Sequence, residues 1–473
     1  MIAVVAAALW GGRLVATSAV LCSALFAVVV FDPWAALSAG FWLSFGAVAL
    51  ILFVSSCCIE PAHGLQSWAR VQWAVTLGLT PLLLAMFQQV SLVSPLANAV
   101  AIPLVSLAVV PLTLFGVIAP GSLILQLAHA LMALCGAALD RMSGFPAAVW
   151  QQHAPPWWTV IAASAGVGWL LMPRGFPARW IGCIALLPMF FVLPAAPPDG
   201  VLRLAVLDVG QGLAIVVQTH NHALLYDAGP VYGPQADAGN RVIVPYLRAA
   251  GIRALDELII THGDKDHAGG MQSVLQALPV GVLRSSLGEV VPQATAPDAQ
   301  ACLAGTRWHW DGIDFEMLHP AAMHYTREKQ RSNDRSCVLR IGVGGQFILL
   351  TADIEQKTER ELLQSVGEKL ASHVLLAPHQ GSRTSSSPEF VAKVAPQIVL
   401  VAAGYRNRFG HPKDDVLARY RDAGSRIYRT DLDGALILTA QAKGLIEVRR
   451  QRAFERRYWH AALENPDLAE DED

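Results

Sequence analysis

Hydrophobic and polar positions divide the chain into two parts with different patterns. Up to residue 197, apolar residues run in long blocks almost free of Lys, Asp and Glu, whereas residues 198–473 mix polar and apolar positions. A helix that crosses a bilayer needs about 20 apolar residues. Seven segments approach this length: 14–31, 39–57, 71–88, 92–118, 121–140, 157–173 and 178–195. The pattern therefore predicts an all-α polytopic membrane domain over residues 1–197.

The fourth apolar segment is interrupted by Pro95, Pro103 and Pro111. Prolines at membrane depth are tolerated where protein or water satisfies the freed backbone groups. The segment is either two half-helices around a cavity, which would suit a channel, or one kinked helix packed against its neighbours.

Positive charge predicts an orientation. In the seven-span arrangement Arg13, Arg70, Arg174 and Arg179 fall on one side and Arg141 on the other. Arg-bearing loops are typically cytoplasmic. The last span then exits outward, and the second part of the chain is predicted on the periplasmic or outer side.

The second part alternates short strand-like runs with helix-like runs after a linker at Pro194–Gly200. Strands are predicted at 201–208, 214–219, 223–227, 255–260, 315–318, 337–343, 347–351, 374–377, 398–402, 427–430 and 435–438. Helices are predicted at 242–250, 267–278, 355–366, 388–394 and 414–423. This order predicts an α/β domain over 198–450, with two sheets covered by helices on their outer faces. Residues 451–473 are predicted to be a polar, acidic tail.

Composition changes this picture little. The hydrophobic fraction is 53%, and the net charge of −2 averages two dissimilar halves, so it says little about partners. Seven cysteines show no C-x-x-C spacing, from which neither a disulfide framework nor a thiolate metal site is inferred. The chain has no G-x-x-x-x-G-K-[ST] motif, so no ATP binding is expected.

The densest candidate chemistry lies in Thr261–Gly270, between a strand-like run and a helix-like run. Four metal-capable side chains stand in this loop: His262, Asp264, Asp266 and His267. Imidazole and carboxylate at this density suit one or two divalent ions such as Zn²⁺ or Mn²⁺. The alternative is a solvated acidic loop that caps a helix. Further Asp and His residues follow other strands, namely Asp208, Asp227, Asp353, His379 and His411.

These motifs resemble a known family. The second part is similar to metallo-β-lactamase-fold hydrolases, which are αββα sandwiches, and the whole resembles the ComEC family of DNA-internalisation competence proteins. The matching stretches are 32–45, 208–212 (Asp-Val-Gly-Gln-Gly), 226–229, 261–270, 349–353, 378–386 and 410–412. The outer domain and further spans usual at the family's N-terminus are missing here, which indicates either a short form or a misplaced gene start.

The resemblance implies a nuclease domain beside a channel for single-stranded DNA. It places His262, Asp264, Asp266 and His267 in the first metal motif. Asp353 matches a metal-bridging carboxylate, and His379 matches a late metal ligand. The resemblance also implies that Asp208, Gln211, Asp227, Ser382 and His411 line the site.

The sequence departs from the family pattern in places. Asp264 and Gln380 each stand where the fold usually has His, and Leu213 stands where the family commonly has Asp. No middle histidine ligand is clear; His319 is the best candidate, although Leu-His-Pro also fits a strand stop. These departures leave the occupancy of one metal site open.

Catalytic and DNA-binding roles are predicted from the chemistry of these residues and from their position beside the metal motifs. Asp266 would orient or deprotonate water, and His411 would protonate the leaving oxygen or contact phosphate, unless it merely precedes a helix. Phosphate contacts are predicted for Ser382, Arg383, Thr384, Arg406 and Arg408, and a basic loop holds Arg327, Lys329, Arg331 and Arg335. The alternative for these charges is a solvated face.

Three functions remain open from the sequence. The first is a multi-pass inner-membrane DNA-uptake protein that has a nuclease domain, accepts double-stranded DNA, passes one strand and contacts lipid and other uptake proteins. The second is a membrane-anchored metallohydrolase of small esters, amides or thioesters. The third is a transport protein whose degenerate hydrolase domain only binds DNA.

Overall fold

We analysed a computed structural model that describes residues 16–56, 64–119, 121–173, 175–287, 298–326, 331–441 and 446–457, with residues 6, 10 and 444. The chain divides into two compact units. The first is Met1–Pro194 with Arg248–Gly251, and the second is Ala195–Leu247 with Ile252–Asp473. The division falls beside the predicted linker. The proposed domain limits at 197 and 450 stay predictions, and most of the predicted acidic tail lies outside the described residues.

The first unit is helical where it is described. Its apolar helices are Thr17–Phe31, Ala39–Ser56, Gly64–Phe87, Ser94–Ile118, Leu123–Ser143, Trp157–Leu170 and Ile181–Phe191. Four of them, within Ala39–Ser143, are long and apolar enough to cross a membrane, whereas the other three have 10–17 residues. Each predicted span thus contains a helix, but three are shorter than predicted. One antiparallel pair, β1 (Gln89–Ser91) with β2 (Val149–Gln151), is an exception to the all-α prediction.

The proline-rich fourth segment is one helix. Ser94–Leu104 continues through a π-helical turn, Val105–Val109, into Val110–Ile118 without interruption. A π turn inserts an extra residue and locally relaxes the helix, which accommodates proline. The half-helix alternative is therefore wrong, and the single-helix alternative holds.

The second unit contains two large mixed sheets. Their strands are β3 (Val201–Val206), β4 (Ile215–Gln218), β5 (Ala223–Tyr226), β8 (Leu255–Ile260), β9 (Val280–Ser285), β10 (Ala299–Ala301), β11 (Arg307–Trp310), β12 (Ile313–His319), β13 (Val338–Val343), β14 (Gln346–Leu350), β15 (Val374–Leu376), β16 (Ile398–Val401), β17 (Arg426–Arg429), β18 (Leu436–Gln441) and β19 (Ile446–Arg450). One sheet has the order β10-β9-β8-β5-β4-β3-β18-β19, and the other β11-β12-β13-β14-β15-β16-β17. A small pair, β6 (Val231–Gly233) with β7 (Ala236–Asp237), stands apart.

Alternation along the strands builds the layers. In β16, Ile398 and Leu400 belong to a core shared by both sheets, while Val399 and Val401 belong to a core shared with helices. Successive strand residues point to opposite faces, so each strand feeds two apolar layers. The helices Gln356–Ser365, Pro388–Val394 and Asp414–Asp422 contribute Leu362, Phe390 and Tyr420 to the outer layer. The predicted αββα sandwich is confirmed.

A disulfide joins Cys302 to Cys337. The expectation of no disulfide is therefore wrong. The two cysteines are 35 residues apart, and the signal looked for was short spacing. Cys302 follows the edge strand β10 and Cys337 precedes β13, and the fold brings these two chain positions together.

Candidate metal centre

The candidate ligands follow the carboxyl ends of strands. Asp227 follows β5 and His262 follows β8, which are parallel neighbours. Asp353 follows β14 and His379 follows β15, a parallel pair in the other sheet. Parallel strands bring their carboxyl ends to one edge, where crevices form between strand and helix. The topology therefore places separated segments of the chain at one site.

Three of the candidate metal ligands converge closely. One ligand atom from each of His262, His267 and Asp353 lies within 4.8 Å of the others. His267 Nε2 is 3.2 Å from Asp353 Oδ1, and the two imidazole centroids are 4.1 Å apart.

The other predicted ligands surround this cluster. Asp266 Oδ2 is 3.8 Å from His267 Nε2, and Asp264 Oδ2 is 3.6 Å from His262 Nε2. His379 Nε2 is 3.7 Å from an oxygen of Asp353. All six predicted metal ligands thus lie at one place, three buried at its centre and three at its rim.

Asp227 organises the site without joining the cluster. Its buried carboxylate accepts hydrogen bonds from Thr261 N (2.7 Å) and Thr261 Oγ1 (2.8 Å), and one oxygen lies 2.7 Å from His267 Nδ1. The single hydroxyl proton of Thr261 is used on Asp227, so Thr261 Oγ1 accepts at 2.9 Å from His262 Nδ1. Both histidines then carry hydrogen on Nδ1 and can direct Nε2 to a metal, as metal-bound imidazoles do.

Electrostatics in the cluster reflect burial and paired charges. Burial lowers the pKa of His267, but Asp353 and Asp227 together outweigh it and raise that pKa well above its usual value. Burial opposes ionisation of Asp353, yet His267, His379 and His262 hold the pKa of this carboxyl far below its ordinary value. Burial lowers the pKa of His262, with a contribution from nearby His267. The carboxylate of Asp353 is thus ionised, as a cation requires. The His267 ring would release its additional proton when a cation binds.

These residues fit a divalent cation. His262 Nε2 is buried, and no residue that the structure describes gives it a hydrogen bond; Asp353 Oδ1 is buried as well, and His267 Nε2 approaches it at 3.2 Å without hydrogen-bond geometry. Buried polar atoms without partners are costly, and a cation between them would satisfy both. Two imidazoles with carboxylates suit zinc-type ions. Such an ion supplies Lewis acidity that activates water near neutral pH.

Gln380 reaches into the same site. Its Nε2 donates to Asp266 Oδ2 at 3.0 Å and lies 3.5 Å from both Asp353 Oδ2 and His267 Nε2. Its Oε1 accepts from Gln211, whose own Oε1 accepts from Gly404 N at 3.2 Å. Predicted as site-lining, Gln211 thus reaches the cluster through Gln380, whose amide stands where the fold usually has a second histidine.

Other predicted residues lie farther from the cluster. The rings of His411 and His379 are 6.0 Å apart, and burial lowers the pKa of His411. Asp208 accepts from Gly210 N at 3.3 Å and lies 3.9 Å from Arg452, and burial raises its pKa. Leu213 stands where the family commonly has Asp, and its side chain is buried in the core. Its backbone N–H donates to Asp266 O at 3.1 Å.

Comparisons with known proteins agree with this arrangement. The family described as "Competence protein" matches residues 1–177, and the "Metallo-beta-lactamase superfamily" matches residues 207–405. The chain joins a competence-protein domain to a metallo-β-lactamase domain. The predicted resemblance is confirmed at this level, and the fold implies a divalent-metal site and a metal-dependent hydrolase.

Relatives match across both domains. Competence protein ComA of Neisseria gonorrhoeae is 38% identical over 92% of this chain and 60% of its own length. Uncharacterized protein YcaI of Escherichia coli is 32% identical over 89% of this chain and 55% of its own length. The chain therefore spans little more than half the length of these relatives. Among solved structures, the metallo-β-lactamase-fold protein YhfI of Bacillus subtilis covers 52% of this chain and 99% of its own, at 12% identity and TM-score 0.34.

The predicted phosphate-binding residues have mixed surroundings. Arg406 and Arg408 are exposed and lie over the rings of Tyr405 and Phe409. Arg383 is exposed but pairs with Asp415 at 2.8 Å. Ser382 is buried, and its hydroxyl is 3.2 Å from that of exposed Thr384. Arg327 and Lys329 lie outside the described residues.

Glu355 was not predicted from the sequence. Its carboxylate accepts from Thr384 Oγ1 at 3.3 Å and lies 3.4 Å from Arg331 and 3.7 Å from His379 Nδ1. It therefore links the predicted basic loop to the metal ligand His379. The signal that could have found it is its place two residues after Asp353.

His319 is not a middle ligand of this centre. Its neighbours are His324 and Glu361, which form a separate cluster with it. The interpretation of His319 as the missing ligand is therefore wrong in this structure.

Proposed function

We propose that this chain is an inner-membrane DNA-uptake protein whose metallo-β-lactamase domain hydrolyses phosphodiesters in a metal-dependent reaction. The observation that carries the proposal is the buried His262–His267–Asp353 cluster, whose converging ligand atoms suit a cation. The competence-protein domain that precedes it favours DNA over a small ester as substrate.

The residues around the cluster support phosphodiester chemistry. Asp266 is partly exposed at the rim, where it can hold a water molecule and accept its proton. His411 lies beside His379, where burial lowers its pKa, and from there it can contact phosphate or protonate the leaving oxygen. Exposed Arg406 and Arg408 on the neighbouring loop give a polyanion two further contacts.

A second candidate is a domain that only binds DNA. Gln380 favours it, because its amide donates to Asp266 and approaches Asp353, where a second cation would need free carboxylate oxygens. The arrangement supports one metal ion more readily than two.

Cleavage assays on the purified full chain test the proposal. With Mn²⁺, Zn²⁺ or Mg²⁺, Asp266→Ala and His267→Ala should reduce cleavage of labelled DNA by at least about 100-fold, because the general base or a ligand is lost. His309→Ala, in an exposed His–Asp pair, is the control and should cleave as wild type. DNA binding with no metal uptake and no cleavage would favour the binding-only candidate. Cleavage of a thioester but not DNA would favour a small-ester hydrolase.

We further propose that the membrane unit passes single-stranded DNA. A cavity of about 380 Å³ lies among its helices, and its lining includes Gln72, Thr76, Gln89, Ser91, Ser94 and Asn98. Polar side chains within apolar helices usually face a bundle interior or a water-filled path. The cavity is bordered by the start of the proline-rich helix, where Asn98 donates to Ser94 Oγ at 3.2 Å.

Closing this cavity should block uptake. We expect Asn98→Leu to lower transformation by at least about 10-fold in cells that depend on this chain, because the path becomes smaller and less polar. Nuclease activity of the purified variant should be unchanged. Thr113→Leu, at an exposed position of the same helix, is the matched control. Normal transformation by Asn98→Leu would remove this cavity from the DNA path.

A further inference from the structure

A second group of ligand-type side chains lies apart from the candidate metal centre. His319 ends β12, His324 ends the 3-10 turn Ala322–His324, and Glu361 lies on the helix Gln356–Ser365. One donor atom from each lies within 4.8 Å of the others. His324 Nε2 is 2.8 Å from Glu361 Oε2, and the two imidazole centroids are 4.6 Å apart.

The tautomer of His319 follows from its one hydrogen bond. Its Nδ1 lies 2.9 Å from the carbonyl oxygen of Ser336. A carbonyl only accepts, so in the neutral ring Nδ1 carries the hydrogen and Nε2 carries the lone pair. A backbone carbonyl that holds Nδ1–H is a common way to orient a metal-ligating imidazole.

The lone pair on His319 Nε2 meets no hydrogen-bond donor among the described residues. This nitrogen is buried. Burial lowers the pKa of His319 to about 4, so at neutral pH no proton occupies Nε2. An acceptor that is buried, neutral and without a donor is costly unless a cation binds to it.

We propose that His319, His324 and Glu361 form a second metal site that binds a zinc-type divalent cation. Two imidazoles and one carboxylate are a borderline-soft set that suits Zn²⁺, whereas Mg²⁺ and Ca²⁺ prefer oxygen ligands throughout. Both histidines are at least nine-tenths buried, while the side chain of Glu361 is 33% exposed. The carboxylate therefore lies on the side from which an ion enters, and a water molecule can complete the coordination.

A cation at this site would tie together three segments. They are the end of β12, the turn that follows it, and the helix that begins next to Glu355. Because Glu355 lies 3.7 Å from His379, the second site would steady one side of the first centre without contributing to its chemistry.

Metal titration of the full chain in detergent tests the proposal independently of nuclease activity. The background carries His262→Gln and Asp353→Asn, which remove two ligands of the first centre. Zn²⁺ is titrated against a chelator, and Co²⁺ absorption reports coordination by histidine. We expect about one equivalent of tightly bound metal in this background, with affinity about 10-fold weaker or worse after Glu361→Gln or His324→Gln.

His309→Gln in the same background is the matched control. His309 Nδ1 is also 2.8 Å from a carboxylate, that of Asp314, but this pair is exposed and has no third ligand among the described residues. The control should leave the affinity unchanged. Glu361→Gln alters a partly exposed helix position, so it should fold, which thermal unfolding with chelator verifies.

Two results would overturn the second site. One is a background protein that binds no Zn²⁺ more tightly than its exposed histidines do. The other is unchanged Zn²⁺ affinity in both Glu361→Gln and His324→Gln. Either would mean that His319 is a neutral core histidine beside a His–Glu pair. Because the test measures Zn²⁺ affinity, a loss of nuclease activity bears on the proposed function and not on the second metal site.

Discussion

At the scale of single residues, the arrangement depends on one carboxylate that lies outside the metal cluster. Asp227 is fully buried, and its two oxygens are saturated by Thr261 and His267. The Thr261 hydroxyl oxygen in turn accepts a hydrogen bond from His262 Nδ1 and so orients that ring. One acid thereby fixes the tautomers of two ligands on the same loop.

Thr261→Val should weaken metal binding about 10- to 100-fold, the range typical of lost outer-shell partners. Valine keeps the shape and the backbone hydrogen bond but removes both the hydroxyl's hydrogen bond to Asp227 and the acceptor for His262. Zn²⁺ titration of the full chain measures the effect.

Thr219→Val is its control, because the Thr219 hydroxyl is also buried and donates to a carboxylate, Asp311, at 2.6 Å. Equal metal affinity of the two variants would mean that Thr261 only stabilises the fold.

The sequence predicted ligand types at this scale better than it predicted their partners. His262, His267 and Asp353 could be found because each follows an apolar strand. Asp227 and Thr261 orient the histidine ligands, and Glu355 contacts His379. These interactions depend on contacts between segments that are distant in the chain. For the same reason the sequence did not place His319 beside Glu361, which is 42 residues away in the chain.

At the scale of elements, the central strands were predictable and the edges were not. β15 and β16 are continuous apolar runs because both faces are covered. The edge strands β11 (Arg-Trp-His-Trp) and β19 (Ile-Glu-Val-Arg-Arg) alternate between exposed and half-buried positions. Such short, polar strands resemble loops in a single sequence. The proline-rich helix likewise needed the structure to separate one helix from two.

The loop of the Asp-Val-Gly-Gln-Gly motif packs closely against the metal loop. Gly212 has φ +144°, and a Cβ there would collide with the carbonyl oxygen of Asp266 and lie 2.9 Å from Pro230 Cδ. Leu213 N also donates to that carbonyl. The motif therefore sets the position of Asp266 through the backbone.

Gly212→Ala should reduce DNA cleavage by at least about 10-fold, because it displaces Asp266 from the rim of the cluster. Gly210→Ala is the matched control. Gly210 has φ +74°, and its Cβ would meet no described atom within 4 Å, so it adds backbone strain of about 1–3 kcal/mol without a clash. Cleavage assays and thermal unfolding separate the two effects; similar cleavage by both variants would contradict the positioning role of Gly212.

At the scale of the whole molecule, the shift in hydrophobic pattern near residue 197 predicted two units, and the chain does divide beside it. The hydrophobic pattern predicts the number of membrane spans less reliably than it predicts the two units. In the part of the chain that the structure describes, four helices are long enough to cross, and three apolar ones of 10–17 residues need a thinner or distorted bilayer. An odd total of seven places the second unit opposite the first helix's starting side, whereas an even total of four reverses that relation.

The Cys302–Cys337 disulfide adds an independent argument about orientation. Disulfides persist in oxidising compartments and are rare in the cytosol. The bond therefore favours the same outward placement as the arginine distribution, for which Arg70, Arg141 and Arg179 lie among the described residues. Two unrelated observations, charge in the first unit and a disulfide in the second, thus agree.

An alkaline phosphatase fusion after Gly200 should be active, and a green fluorescent protein fusion at the same point should be dark, because the former folds only outside the cytoplasm and the latter inside. In the full chain, thiol alkylation in intact cells should leave Cys302 and Cys337 unlabelled until a reductant is added. Cys302→Ser is the control, because it frees Cys337 for labelling. A fluorescent fusion together with freely alkylated Cys302 and Cys337 would place the second unit in the cytoplasm, and either the predicted span count or the predicted orientation would then be wrong.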